Sequence, residues 1–429
     1  MISGKRLVKW LASLDLVLFV LLFLFLLAMV ISLGMANIQT DAIDYYAIVQ
    51  RLTGDTPPIV SNLPFVEQRS PGYPLLTLPV YYILRLTTFW ITPETVQFDP
   101  TTYSSFGSRS SEHVLLPQLP LPFRDVFFKD FDLSPQGNWY KWNIIAAMLV
   151  TSYSLFFGGL IVSVKTLTLL YSKPVGMSLI PLMLLTSMVF MHNLINTPAY
   201  ATLTVFGLSC LFAYFWIRSW QTGSAYSQWT AGVFAGLMVL VRLETILVIG
   251  VLLVALIIQR EFRFLRNLTL GGLLPLALLL FYNTSQFGNP FHAGILQGDM
   301  NQIAFSFSYI KDVLASPQSG ILFWSTLTLL GIIGLFFTQE RPLKALGWAT
   351  LILVMLIAIR VPIMYFCIGQ GTQVVSGISI TCPQDVSVMR ELIRFDANRY
   401  IIPLIPFAVL GLRGLIGRLV ASLGNHCVV

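Results

Sequence analysis

Long apolar runs, separated by short polar or Pro/Gly-rich clusters, dominate the chain. A helix needs roughly 20 predominantly apolar residues to cross a bilayer. Ten runs reach or approach that length: 15–34, 143–170, 176–195, 199–217, 223–242, 244–259, 268–285, 320–337, 346–366 and 400–419. Unbroken runs of this kind predict helices, because membrane strands show only weak alternation over short segments. The polar interval 35–142 is too long to be a mere connector. The first run follows Lys5, Arg6 and Lys9, like a signal peptide. It exceeds a typical signal h-region, and Gly34-Met35-Ala36 is a poor cleavage site, so an uncleaved span is expected.

Composition strengthens this picture. Of 429 residues, 56% are hydrophobic and only 10% charged, against roughly 25% charged in soluble domains. The expected fold class is an all-α polytopic membrane protein of about ten spans, with a large first extracytoplasmic loop carrying juxtamembrane helices. The net charge of +7 makes no nucleic-acid footprint, since no Lys/Arg cluster sits on a soluble domain. The four cysteines match no zinc or redox spacing. Cys367 and Cys382 bracket an external loop and are candidates for a disulfide in an oxidising compartment.

Charge placement sets the topology. Twelve basic residues fall in short loops or at the termini: Lys5, Arg6, Lys9, Lys173, Arg218, Arg260, Arg263, Arg266, Arg341, Lys344, Arg413 and Arg418, accompanied only by Glu261 and Glu340. The loops 35–142, 286–319 and 367–399 hold eleven basic and fifteen acidic residues. The positive-inside rule assigns the short basic loops, and both termini, to the cytoplasm. Residues 73–90 are apolar but carry Pro74, Pro79 and Arg85; a crossing there would invert every later loop. A juxtamembrane or re-entrant helix is expected instead.

Polar groups kept near a bilayer are functional hypotheses, and here they gather at the outer boundary. Asp41 and Asp44, three apart on a short helix ending at Gly54, share one side of it, while Tyr45, Ile48, Val49 and Leu52 form an apolar side able to rest on the membrane. Glu67, Arg69, Tyr73, Asn196, Arg242, Glu244, Asn289, His292, Arg360, Arg399 and Tyr400 lie at the same level. Plainer roles exist for several. Asp41 and Asp44 suit helix N-capping, Arg69 and Arg399 suit snorkelling to headgroups, and Arg242 with Glu244 suits a structural ion pair. His192 and His292 lack spaced partner ligands and are expected to be ordinary polar residues.

The order of these pieces resembles the GT-C glycosyltransferases, the class that includes protein O-mannosyltransferases and aminoarabinose transferases. The likeness runs through Asp41-Ala-Ile-Asp44-Tyr45-Tyr46, Arg69-Ser-Pro71-Gly-Tyr73-Pro74, Val241-Arg242-Leu243-Glu244, Phe287-Gly288-Asn289-Pro290 and Asn398-Arg399-Tyr400-Ile-Ile-Pro403. It implies a GT-C-like module at 1–285 and a C-terminal membrane module at 286–429. It also implies inverting transfer from a polyprenyl phosphate sugar to an extracytoplasmic acceptor, which could be glycan, lipid or protein. Asp41 maps to the family's first-loop acid by its spacing to Tyr45, with Asp44 as the neighbouring candidate. Arg69, Arg242, Arg399 and Tyr400 are the donor-phosphate candidates; Glu67, Tyr73, Asn196, Glu244, Asn289, His292 and Arg360 are the other cavity candidates. The chain departs from the family where Asn196-Thr197 replaces an acidic tip, Leu243 replaces a proline, and no large soluble C-terminal domain is expected. No residue then argues for a divalent metal, no cofactor is required, and the metal question stays open. The compact chain, with no retention signal, points to a prokaryotic cytoplasmic membrane with the active face outside; the endoplasmic reticulum is the alternative. A lipid or sugar transporter or flippase, and a non-catalytic membrane subunit, are the rival function classes.

Overall fold

The computed structural model describes residues 4–33, 41–54, 69–87, 95–98, 138–171, 176–195, 199–291, 301–303, 306–317, 320–362, 372–375, 378–381 and 400–426. In chain order the helices are α1 (Gly4–Leu33), α2 (Asp41–Thr53), α3 (Gly72–Thr87), α4 (Trp142–Leu170), α5 (Leu179–Thr186), α6 (Met188–Ile195), α7 (Ala201–Thr222), α8 (Ala225–Val241), α9 (Thr245–Ile258), α10 (Phe262–Phe287), α11 (Phe307–Ala315), α12 (Ile321–Trp324), α13 (Thr326–Phe337), α14 (Arg341–Ile359) and α15 (Ile405–His426). Among the described residues, three two-stranded antiparallel ladders join the helices: β1 (Thr95–Phe98) with β2 (Asn138–Lys141), β3 (Asn301–Ile303) with β4 (Arg360–Pro362), and β5 (Thr372–Val375) with β6 (Ile378–Thr381). Their registers pair Val96 with Tyr140, Gln302 with Val361, and Gln373 with Ile380.

Helices dominate because an apolar solvent leaves backbone amides no partner except one another. Five of them, α1, α4, α7, α10 and α14, contain stretches long and apolar enough to cross a membrane, and α8, α9 and α13 are shorter apolar helices. The outward faces are apolar as well: Leu21 on α1, Ile258 on α9, Leu274 and Phe281 on α10, and Met355 on α14 are each about half exposed or more. In water such a continuous surface would mark an interaction site; on this bundle it is the face turned to lipid.

Each of the ten expected runs contains a described helix, but the run 346–366 leaves its helix at Ile359 and enters strand β4 at Arg360, and two others are interrupted. The run 176–195 divides at Ser187, whose extended backbone separates α5 from α6. The run 320–337 divides at Ser325 between α12 and α13. Pro79 and Pro275, by contrast, sit inside continuous helices. At 16 residues and about 1.5 Å per residue, α3 is about 24 Å long, short of the roughly 30 Å hydrocarbon core.

Helix α7 is central, burying Phe206, Phe212 and Trp216. Phe156 of α4 meets Phe190 of α6 and Phe206 of α7 at ring separations of 5.3 and 5.4 Å. Small residues let backbones meet along three seams, as membrane helix pairs require. A Cβ on Gly207 (α7) would lie 2.2 Å from the Leu155 carbonyl oxygen of α4. One on Gly271 (α10) would lie 2.0 Å from that of Trp229 in α8, and one on Gly411 (α15) 2.0 Å from that of Gly331 in α13. A buried hydrogen bond from Asn267 Nδ2 to Gln228 Oε1, 2.8 Å, also joins α8 to α10.

Contacts sort the connections into two ends. At one, Gln221 donates to the Leu169 carbonyl (2.7 Å), Tyr171 to that of Leu410 (2.9 Å), and Trp216 to that of Pro342 (3.3 Å). Arg413 lies 4.9 Å over the Tyr171 ring. These are the neighbourhoods of the short basic loops. At the other end Gly72 meets Leu240 and Val241, Arg242 meets Tyr400, and β3 pairs with β4. The segments around Arg218, Arg341 and Arg413, grouped by charge in the sequence, are thus also neighbours in space.

Asp15 ties α1 to the basic end. Its carboxylate accepts from the amides of Gly176 (2.8 Å), Met177 (2.7 Å) and Ser178 (3.2 Å), and from the Ser178 hydroxyl. Those three amides are the open donors ahead of α5. Between Ser13 and Val30 α1 is lightly packed: Leu26 is buried and Phe23 meets Phe157 edge-on, while Leu14, Val17, Leu21 and Phe25 are exposed.

Candidate functional site

Helix α2 begins at Asp41 and stops at Gly54, whose φ of +68° is readily reached only without a Cβ. An apolar side resting on the membrane is expected for α2, but the structure encloses it: Ala42 and every residue from Asp44 to Gln50 are buried. Ala47 and Ile48 pack on Tyr282 near the end of α10, while Tyr45 meets the Tyr73 ring edge-on at 5.2 Å. The helix therefore buries opposite faces in protein, and lipid is not its partner.

Asp44 is fully buried and faces Arg69, with Nε donating to Oδ2 at 2.9 Å. The two residues lie 25 positions apart, so the turn that opens α3 carries Arg69 back to α2. Tyr73 anchors that turn. Its hydroxyl donates to the Met148 carbonyl (2.8 Å) and accepts from Ser152 Oγ (2.9 Å) on α4. Both bonds are directed into the bundle, which makes Tyr73 an anchor for the Arg69 turn.

Gly72 brings the turn against the end of α8. A Cβ there would fall 2.3 Å from the Leu240 carbonyl carbon and 2.4 Å from the Val241 amide nitrogen. The next residue along α8 is Arg242. It caps that helix in extended conformation and reaches Glu244, Nη2 to Oε1 at 3.0 Å, with both side chains about nine-tenths buried. Its guanidinium also lies 4.4 Å over the ring of Tyr400, a cation–π contact with the segment leading into α15. Two arginine–carboxylate pairs and a tyrosine from distant parts of the chain thus occupy one end of the bundle.

The remaining candidates divide. Asn289 is exposed and caps its own turn, its Oδ1 accepting from the Phe291 amide at 3.0 Å. Asn283, buried below, donates to the Pro290 carbonyl at 3.1 Å and so holds the Phe287–Pro290 turn closed. Glu67, Asn196, His292, Arg399, Cys367 and Cys382 lie outside the described residues. Asp41, His192 and Arg360 are described in backbone only: Asp41 opens α2, His192 lies in α6, and Arg360 begins β4. Among the described residues no three of His, Cys, Asp and Glu gather as metal ligands. Sequence reasoning did not single out Asp15, although it is the lone acid of the first apolar run, or Gly72, whose close approach has no signature in hydropathy. No protein-family model and no curated protein sequence matches this chain.

Proposed function

We propose that the chain is a membrane glycosyltransferase of GT-C type, moving a sugar from a polyprenyl phosphate to an extracytoplasmic acceptor. The observation that carries the proposal is the pairing of Arg69 with Asp44 and of Arg242 with Glu244 and Tyr400, beside the helix that Asp41 opens. Phosphate is the leaving group that such guanidiniums suit, through their planar fork of donors. Asp41 is assigned as the base: it takes the proton from the acceptor hydroxyl as that oxygen attacks the anomeric carbon. The bond from that carbon to the phosphate oxygen breaks, and its electron pair leaves on the phosphate. Arg69, Arg242 and Arg399 then balance the charge released. The proposal includes ten spans, both termini cytoplasmic, and residence in a prokaryotic cytoplasmic membrane with this end outside.

The test is release of labelled sugar from a synthetic polyprenyl phosphate donor by the full chain in proteoliposomes. Release dependent on added acceptor supports the reading, and none with any acceptor class ends it. A transporter or flippase draws on one observation, the break in the run 176–195 at Ser187, since transporters use interrupted spans at their binding sites. The same proteoliposomes decide between the two: a flippase moves the lipid across intact, with sugar still attached.

A further inference from the structure

The mechanism above leaves two carboxylates without a task, those of Asp44 and Glu244. Each touches a guanidinium: Asp44 Oδ2 lies 2.9 Å from Arg69 Nε, and Glu244 Oε1 3.0 Å from Arg242 Nη2. Asp44 is fully buried, Glu244 nearly so, and only 22% of the Arg69 side chain is exposed. Withdrawing such pairs from water adds little stability over apolar residues of the same size. What a fixed carboxylate does supply is orientation. A bidentate hold on phosphate needs the guanidinium plane aligned, and an unrestrained arginine carries about 2 kcal/mol of rotamer entropy.

The two pairs are also mechanically joined. Gly72, three residues beyond Arg69, lies against Leu240 and Val241, the last of which precedes Arg242. At about 3.8 Å per residue, this keeps the two arginine α-carbons within about 20 Å. Tyr400 steadies the second guanidinium from its face, at 4.4 Å.

We infer that Asp44 and Glu244 are positioning residues that aim Arg69 and Arg242 as two arms of a cradle for one lipid-borne phosphate, with the Gly72 contact setting the gap between the arms. The identity of the ligand rests on the glycosyltransferase reading, but the inference is tested by binding alone, so the two fail separately. The measurement compares a radiolabelled polyprenyl phosphate with the polyprenol of equal length, each binding to the full chain in phosphatidylcholine nanodiscs. The wild-type chain is expected to prefer the phosphate. Asp44→Asn and Glu244→Gln are each expected to cut that preference on the order of tenfold, the scale of one hydrogen bond to a charged group, without changing polyprenol affinity. A purely structural role weakens both ligands together, and that outcome, or an unchanged preference, overturns the inference.

Should Asp44→Asn not yield monodisperse protein, Asp44→Asn/Arg69→Gln replaces it, since the double variant strands no buried charge. It is expected to lose no more preference than Arg69→Gln alone, because the two residues act through one arm; a larger loss overturns the proposal. Equal binding of phosphate and alcohol by the wild-type chain removes the cradle, while sugar release by the same chain still decides the transferase. Phosphate preference without sugar transfer keeps the cradle and removes the transferase.

Discussion

Asp41 and Asp44 stand one helical turn apart on α2, and the spacing that puts both on one side says nothing of which is committed elsewhere. Asp44 is committed to Arg69, which leaves Asp41 as the assigned base. Asp41→Asn keeps size and shape, so it is expected to leave insertion and monodispersity unchanged while sugar release falls by at least about 100-fold, the lower range for a general base. Wild-type turnover in that variant removes the assignment. Arg69→Ala strands the Asp44 carboxylate in a buried site, at a cost of about 3–5 kcal/mol. It is expected to lower the melting temperature in detergent, and adding Asp44→Asn to restore much of it. Asp44, Arg69, Tyr73, Arg242, Glu244 and Tyr400 could be picked out in the sequence because polar groups stand out against apolar runs. Their pairing could not, because contacts across 25 or more residues depend on a turn whose path hydropathy does not encode.

At the scale of elements, apolar length predicted where helices lie and failed where they stop short. Pro79 and Pro275 are carried inside helices, where neighbouring segments can satisfy the freed carbonyls. Ser187 and Ser325 interrupt runs that composition alone makes continuous. The surroundings of α2 were also misjudged, since its amphipathic pattern is equally that of a helix enclosed by protein. Packing makes a sharper demand. A Cβ on Gly271 meets the Trp229 carbonyl oxygen at 2.0 Å, whereas one on Gly250 has nothing within 4 Å. Gly271→Ala is therefore expected to abolish monodisperse expression by forcing α8 and α10 apart. Gly250→Ala is expected to be tolerated or to gain up to about 1 kcal/mol of helix propensity. Fluorescence-detected size exclusion of the two variants separates them, and equal behaviour contradicts the seam.

Across the whole molecule, the basic loops share one end of the bundle and the paired arginines the other. In the proposed topology, which applies the positive-inside rule, the paired arginines face out. In a cysteine-free background, Asn289→Cys is expected to react with a membrane-impermeant maleimide on intact cells, and Thr222→Cys only after permeabilisation. Both sites are exposed at opposite ends, so the reverse pattern inverts the topology and places the arginine pairs in the cytoplasm. The anchorage of α1 has a consequence for biosynthesis. The amides that hold Asp15 begin 161 residues downstream. At roughly 5–20 residues per second, the ribosome takes on the order of ten seconds or more to make them. The first helix delivered to the membrane therefore waits among lipids, its acid undocked, until the described helices α2, α3 and α4 have been synthesised and the loop before α5 arrives to receive it.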